Sequence, residues 1–365
     1  MKIKKELYRN YINLSGLKSK EKLIIIESDD WGGIRMPSKE VFEILKGSSI
    51  RVEKCAYSKF DALELNSDYE NLYEVLSKHK DKDGNSPVIT ANFLTANPDF
   101  KRIKEHNFEQ YFFEDITAAY NNYDGSDRVM SLINDGVKSG MLSPQLHGRE
   151  HINPIAWLDL VRNNPDVRKA FDYNISTLSF ENVPTIRVPY LASFYRVGGE
   201  DFKAVLTDAH KQFREIFNEY PKSFIAPVYV WDDEVENITA GLGITSIQGL
   251  HYKYADQQKT KKLSRTRSTK TQYGQLNIVR NCFFEPSTKS NFDWVNECLS
   301  DINAAFRWNR PAIICSHRLN FTGRIDVSNR DTNLKLLNKL ISEILKKWPD
   351  ARFVSSDGLS KKFLG

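Results

Sequence analysis

A chain of 365 residues, 40% hydrophobic and 27% charged, is too apolar for a disordered protein and long enough for two ordinary domains or one large α/β barrel. Its net charge of +5 is mild for that length. Such a charge makes no case for nucleic acid and leaves an acidic substrate or a membrane surface open.

Cys55, Cys282, Cys298 and Cys315 lie far apart with no CxxC pair, which argues against a cysteine zinc site or a disulfide scaffold and fits a reducing compartment. The first residues lack the apolar core of a signal peptide, and no run approaches the length of a membrane span. The expectation is a cytoplasmic protein, with peripheral contact to a membrane through basic residues left open and the oligomeric state unknown.

In chain order, residues 1–21 form a basic arm or short helix ahead of a single domain over 22–365. Lys22-Leu23-Ile24-Ile25-Ile26-Glu27-Ser28-Asp29-Asp30-Trp31-Gly32-Gly33 predicts a strand buried on both faces that runs into two carboxylates and a Gly pair. Helical pieces follow at 41–45 and 72–76, a second strand at 86–94, and a strand-like stretch at 140–146 that leads into a histidine segment. Residues 155–180 carry helical patterns, and 202–220 predict one amphipathic helix stopped by Pro221. Strands at 224–230, 244–247, 311–316 and 352–354 alternate with helices at 233–242, 292–306 and 331–348. Alternation without a linker or a repeat argues for one α/β domain on a parallel sheet, open or closed into a barrel.

Three segments carry chemistry. Asp29 and Asp30 end the first strand, where α/β folds bind ligands, and buried adjacent acids are costly unless cations hold them. As ordinary turn residues they also suit a plain loop. His147-Gly148-Arg149-Glu150-His151 spaces two imidazoles by four, on one face if a helix begins at His147; taken alone the pair reads as surface histidines. Ile313-Ile314-Cys315-Ser316 delivers His317 at the end of an apolar strand, where a capped loop histidine is the plain alternative. Two His and one carboxylate with open positions make a catalytic zinc-type set or a facial iron set.

In this order the segments resemble the polysaccharide deacetylase family, the chitin and peptidoglycan deacetylases with NodB homology. The matching stretches are Glu27-Ser28-Asp29-Asp30-Trp31-Gly32, His147-Gly148-Arg149-Glu150-His151, Ile225-Ala226-Pro227-Val228-Tyr229 and Cys315-Ser316-His317. The resemblance implies a distorted (β/α) barrel of about seven parallel strands with helical insertions. It implies a divalent metal, most often Zn²⁺, on Asp30, His147 and His151, with Asp29 as general base and His317 as general acid. Tyr229 would lie by the oxyanion pocket, where the family uses a backbone N–H.

Three departures make the chain a divergent member, the first being Trp31 in place of the family's Gly after the second Asp. The family's Arg before Pro is replaced by Ile225-Ala226, leaving Arg35, Arg149, Arg187 or Arg318 to orient the base. The family's Asp-x-x-Asp-Trp segment has no clear counterpart, and Asp232-Asp233 offers a partial one beside a helix N-cap role. Trp31, Tyr190, Tyr195, Tyr229 and Trp231 are aromatic candidates for stacking on sugar rings, core packing being their default. The basic cluster over 259–270 suits a solvated loop.

The expected activity is metal-dependent hydrolysis of acetyl groups, N-linked before O-linked, from a carbohydrate such as an intermediate of surface polysaccharide synthesis. Its rivals are an amidase acting on non-sugar C–N bonds, a catalytically silent carbohydrate-binding protein and an iron-dependent oxygenase.

Overall fold

The computed structural model describes residues 2–254, 262–265 and 268–364. Leu23–Trp31 is buried along its whole length because strands flank it on both sides. Ala312–His317 pairs with one edge, and Ile89–Leu94 with the other from Ile26 onward. Arg352–Phe353 completes that second edge at Leu23 and Ile24. Outward, the order is Leu142–Gly148, Ser223–Phe224, Ser246–Gly249 and Leu276–Val279 beyond Ile89–Leu94, with Cys282–Phe283 beyond Ala312–His317. All nine strands run parallel, so the sheet carries two more than the seven expected.

The two outermost strands, Leu276–Val279 and Cys282–Phe283, are separated in sequence by Arg280 and Asn281 alone. A flat sheet of this order would hold them far apart, so the sheet must curl until one continuous segment serves both edges. The backbone bonds follow that course: the Arg280 N–H donates to the Gly249 carbonyl at 2.8 Å, and the Asn281 N–H to the Ile313 carbonyl at 3.1 Å. The fold is a curled, (β/α)-barrel-like sheet with helices outside it.

Strand alternation then assigns every side chain a face. Ile24, Ile26, Ile89, Ala91, Ala312 and Ile314 point outward into a core shared with the helices Asn66–Ser77, Val129–Lys138, Trp294–Arg307 and Val327–Lys347. Leu23, Ile25, Leu276, Ile278 and Ile313 point inward and form an apolar floor. One residue further along each strand's inward face stand Glu27, Arg280 and Cys315, and above them Asp29 and His317.

Local differences from the sequence expectations have local causes. The run 224–230 is a strand only over Ser223–Phe224. Pro227 lacks an N–H for the ladder, and Val228 and Tyr229 take positive φ in a short 3₁₀ turn. Residues 255–261, 266 and 267, which include Lys259, Lys261 and Arg267 of the basic cluster, lie outside the described residues. Arg265 is not solvated: it is buried and donates to the carbonyls of Leu250 and Ile247 at 3.1 and 2.6 Å. Among the described residues no helix is long and apolar enough to cross a membrane.

Candidate active site

Adjacent residues of a regular strand face opposite sides, so Asp29 and Asp30 would ordinarily be separated by the sheet. A register shift between Ser28 and Trp31 and a φ of +75° at Asp30 break the alternation. Asp tolerates this left-handed backbone better than bulky residues do. Both carboxylates consequently line one cavity of about 350 Å³, together with His147, His151, Tyr229 and His317.

His147 ends Leu142–Gly148, and Gly148 takes φ +122°, a value that turns the chain back toward the strand it has just left. His151 is therefore brought beside His147 by a loop, not by the helical spacing considered for the pair. The imidazole centroids are 5.3 Å apart, and each Nε2 lies 3.3 Å from the same Oδ1 of Asp30. His147 Nδ1 donates to the Ile225 carbonyl at 2.9 Å, which fixes the tautomer that leaves Nε2 a lone-pair donor. Burial disfavours the Asp30 carboxylate, yet His151, His147 and Arg35 together hold it well below its ordinary range. Burial also lowers His151, disfavouring its charged form, and among the described residues no group bonds its Nδ1. The three ligand atoms lie within 4.8 Å of one another. Two imidazole nitrogens and a carboxylate fit a zinc-type donor set with positions to spare.

Asp29 is held differently. Arg280 grips it through two parallel bonds of 2.7 Å, and Asn92 adds a third of 2.7 Å. Burial works against the charge, but Arg280 outweighs it and drives the carboxyl down to about 2. The same guanidinium donates through Nε to Glu27 at 2.7 Å, and Tyr229 Oη accepts from it at 3.1 Å.

The strand register sets His317 opposite Asp29, with its Nε2 3.8 Å from Oδ2. Glu285 accepts from His317 Nδ1 at 2.6 Å and is itself held by Asn320 at 2.8 Å. Burial opposes the imidazolium, but Glu285 and the two aspartates push its pKa up to about 9. Tyr57 packs edge-on against the same ring at 5.3 Å.

Of the other residues singled out from the sequence, Arg35 reaches the cavity, 4.0 Å from Asp30 and 3.4 Å from Asp61. Three do not. Trp31 is buried in the outer core against Tyr69 and Phe93 and donates to Ser28 at 3.0 Å. Trp231 is equally buried and donates to Glu236 at 2.9 Å. Arg149 turns away from the cavity to Glu150 and Asp208 and stacks on Phe113, because its neighbour supplies a buried carboxylate to neutralise it.

Tyr229 is in the cavity wall, but its backbone N–H is spent on the Ala226 carbonyl at 3.1 Å. Arg187 is drawn to the Pro184 carbonyl, and Arg318 to Asp61 and Glu64. Asp232 caps the helix Asp233–Gly241 and pairs with Arg196.

The groups missed in the sequence are thus Arg280 and Glu285. Both obey the rule that found Asp29: an inward-facing apolar run ends in a charge, as in Leu276-Asn277-Ile278-Val279-Arg280 and Cys282-Phe283-Phe284-Glu285.

A family model described as glycosyl hydrolase family 57 matches residues 4–279. No curated protein matches the chain. Among solved structures it is similar to a 4-alpha-glucanotransferase from Thermococcus litoralis, at 12% identity and a TM-score of 0.46, over 93% of this chain and 40% of that one. A GH57-type branching enzyme from Pyrococcus horikoshii matches at 11% and 0.46, over 95% and 71%. A peptidoglycan deacetylase from Bacillus subtilis matches at 10% and 0.36, over 95% of each chain. The matching family handles carbohydrates, as the motifs suggested, but under a different family name.

Proposed function

The chain belongs to glycosyl hydrolase family 57 and is a carbohydrate-active enzyme, and from that premise we propose that it hydrolyses an acetyl group from a sugar at a divalent metal ion, zinc first among the candidates. The supporting observation is the convergence of His147 Nε2 and His151 Nε2 on one oxygen of Asp30, beside an ionised Asp29 and a protonated His317.

Asp30, His147 and His151 would hold the ion. When bound, it supplies a water of lowered pKa and positive charge for the carbonyl oxygen. Asp29 accepts the proton of the attacking water, and Arg280 fixes the direction its oxygens face. Arg280 also makes Asp29 a weak base, so the water must be acidified for the transfer to run at neutral pH. His317 gives its Nε2 proton to the departing group, while Glu285 holds Nδ1 and stabilises the imidazolium. A departing amine needs that proton more than an alcohol does, which favours an N-linked acetyl.

A second reading, cleavage of a glycosidic bond, is favoured by the family match. The usual scheme needs one protonated and one ionised carboxyl across the scissile bond. Of the carboxyls lining the cavity, Asp29 and Asp30 are both held ionised, and the third, Glu181, is exposed at the wall.

Elemental analysis of wild type, Asp30→Ala and His147→Ala, with acetate and new reducing ends measured on acetylated oligosaccharides, tests the proposal. About one equivalent of metal in wild type, lost in both variants with the fold intact, and acetate release are expected. A wild type that holds no metal, even after incubation with zinc, overturns the mechanism. Reducing ends without acetate establish the glycosidase instead.

A further inference from the structure

The helix Lys2–Asn13 is mounted with its polar side inward. Arg9 reaches Asp301 at 2.6 Å and Glu297 at 2.5 Å on the helix Trp294–Arg307. Asn10 accepts from the Trp308 indole at 2.8 Å, Asn13 from Asn281 at 2.8 Å, and Glu6 pairs with Arg307 at 3.2 Å. The apolar side is largely exposed, with Tyr8 and Tyr11 edge-on to His251 at 5.6 and 6.4 Å. Ile3, Leu7, Tyr11 and Leu14 fall at intervals of four, four and three on one stripe, with Tyr8 beside them, each between 45% and 77% exposed. These five are over a third of the fourteen exposed large hydrophobic side chains among the described residues, gathered into twelve positions. Scattered exposed apolar residues need no explanation, whereas a contiguous stripe does.

Charge identifies what covers it. Residues 1–20 hold six cations, Lys2, Lys4, Lys5, Arg9, Lys18 and Lys20, against the single acid Glu6. The remaining chain is balanced, with 46 cations and 46 acids, so all of the net +5 sits in this segment. A second copy packed stripe to stripe would bring these cations face to face across a two-fold axis. An anionic surface would be attracted by the lysines while accepting the apolar stripe, and tyrosines suit the boundary between acyl chains and headgroups.

We propose that the Lys2–Asn13 helix lies in the plane of an anionic lipid bilayer, with Ile3, Leu7, Tyr11 and Leu14 inserted and the exposed Lys4, Lys18 and Lys20 at the headgroups, while Lys5 stays paired with Glu297 at 3.1 Å. The barrel then rides on the bilayer through the ion pairs of Arg9. Peripheral binding of this kind is reversible and weakens as salt screens the lysines.

Flotation of the full-length protein with vesicles tests this, using phosphatidylcholine alone and phosphatidylcholine with about one third phosphatidylglycerol. Binding to the anionic vesicles, and at least tenfold less to the neutral ones, is expected. Leu7→Ser with Tyr11→Ser should reduce anionic binding about tenfold or more, because both side chains are exposed and removing them costs insertion but not fold. Unchanged circular dichroism and melting of that variant exclude unfolding as the cause. Equal binding to both vesicles, or to neither, overturns the proposal. So does a wild-type dimer in sedimentation velocity that the double variant converts to monomer, since the stripe is then covered by a second copy.

Discussion

The two aspartates at the end of Leu23–Trp31 are neighbours in sequence and line the same cavity, yet their surroundings are opposites. Asp29 has both oxygens bonded by protein donors: Arg280 on each, with Asn92 sharing one. Asp30 has no such cation against it. Its Oδ1 is shared by two imidazole nitrogens at 3.3 Å each, and Arg35 stands off at 4.0 Å from Oδ2. One carboxylate is complete within the chain, and the other belongs to a set of three lone-pair donors. The difference comes from the backbone: Asp29 keeps the strand's inward face, where Arg280 arrives from the barrel-closing segment, and the positive φ at Asp30 turns it toward the histidines.

If the contrast is correct, the two carboxylates fail in different ways when each loses its charge. Asp29→Asn should lower kcat by about 10²- to 10⁴-fold while retaining the bound metal, because the proton acceptor is lost and the ligand set is not. Asp30→Asn should lose metal and activity together. Metal analysis beside kcat on the two variants separates them, and loss of metal in both would erase the distinction.

The next largest effect falls on stability. Arg280 is fully buried between Glu27 and Asp29, so Arg280→Met leaves two carboxylates without their cation. Removing one partner of a buried pair costs about 3–5 kcal/mol. Thermal melting should show it as a large drop in Tm at neutral pH. Burial already holds Glu27 above its ordinary pKa and Arg280 opposes that rise, so without Arg280 the Glu27 carboxyl moves higher still. The variant should therefore lose part of its deficit as the pH falls and the freed carboxyls take up protons. Arg280→Lys keeps one charge without the two-pronged grip, and should melt between the two.

A smaller change sharpens the acid side. His317 must carry a proton to donate one, and its pKa of about 9 keeps it charged through neutral pH. The rate should hold across that range and fall as the pH rises past it. Glu285→Gln removes the carboxylate that raises this value most, so the alkaline limb should move to lower pH. A kcat–pH profile measures the shift directly, and a limb that stays in place would mean another group sets it.

What the sequence made legible follows the same physics. Asp29, His147 and His317 each follow a predicted strand, and parallel sheets deliver such ends to one face, so a shared face was readable, while their roles in one site rested on the family resemblance. His151 was readable as a partner, though not its route, because the turn depends on φ +122° at Gly148. Arg280 and Glu285 followed the same rule but were hidden by the brevity of their strands, four and two residues. Their importance appears only once Arg280 and Asn281 are seen to join opposite edges of the sheet. The run 224–230 misled because its β-branched and aromatic residues favour a strand while Pro227 and the two positive-φ residues forbid one.

The aromatic residues supply the smallest predicted effect on catalysis and the sharpest check of that lesson. Sequence position alone makes Trp31 a neighbour of the site, one residue beyond Asp30. Its indole instead lies in the outer core with Tyr69 and Phe93, tied to Ser28, because the shifted register that turns Asp30 inward sends the next side chain out. Trp31→Phe should accordingly leave KM for any acetylated sugar unchanged and lower stability by about 1–3 kcal/mol, the scale of a shrunken buried side chain with a lost hydrogen bond. Tyr57→Leu, at the cavity wall and edge-on to His317, should do the reverse, altering kcat and its pH profile more than melting. A raised KM in Trp31→Phe with normal melting would place the indole against substrate and reverse the assignment of faces from which the site is built.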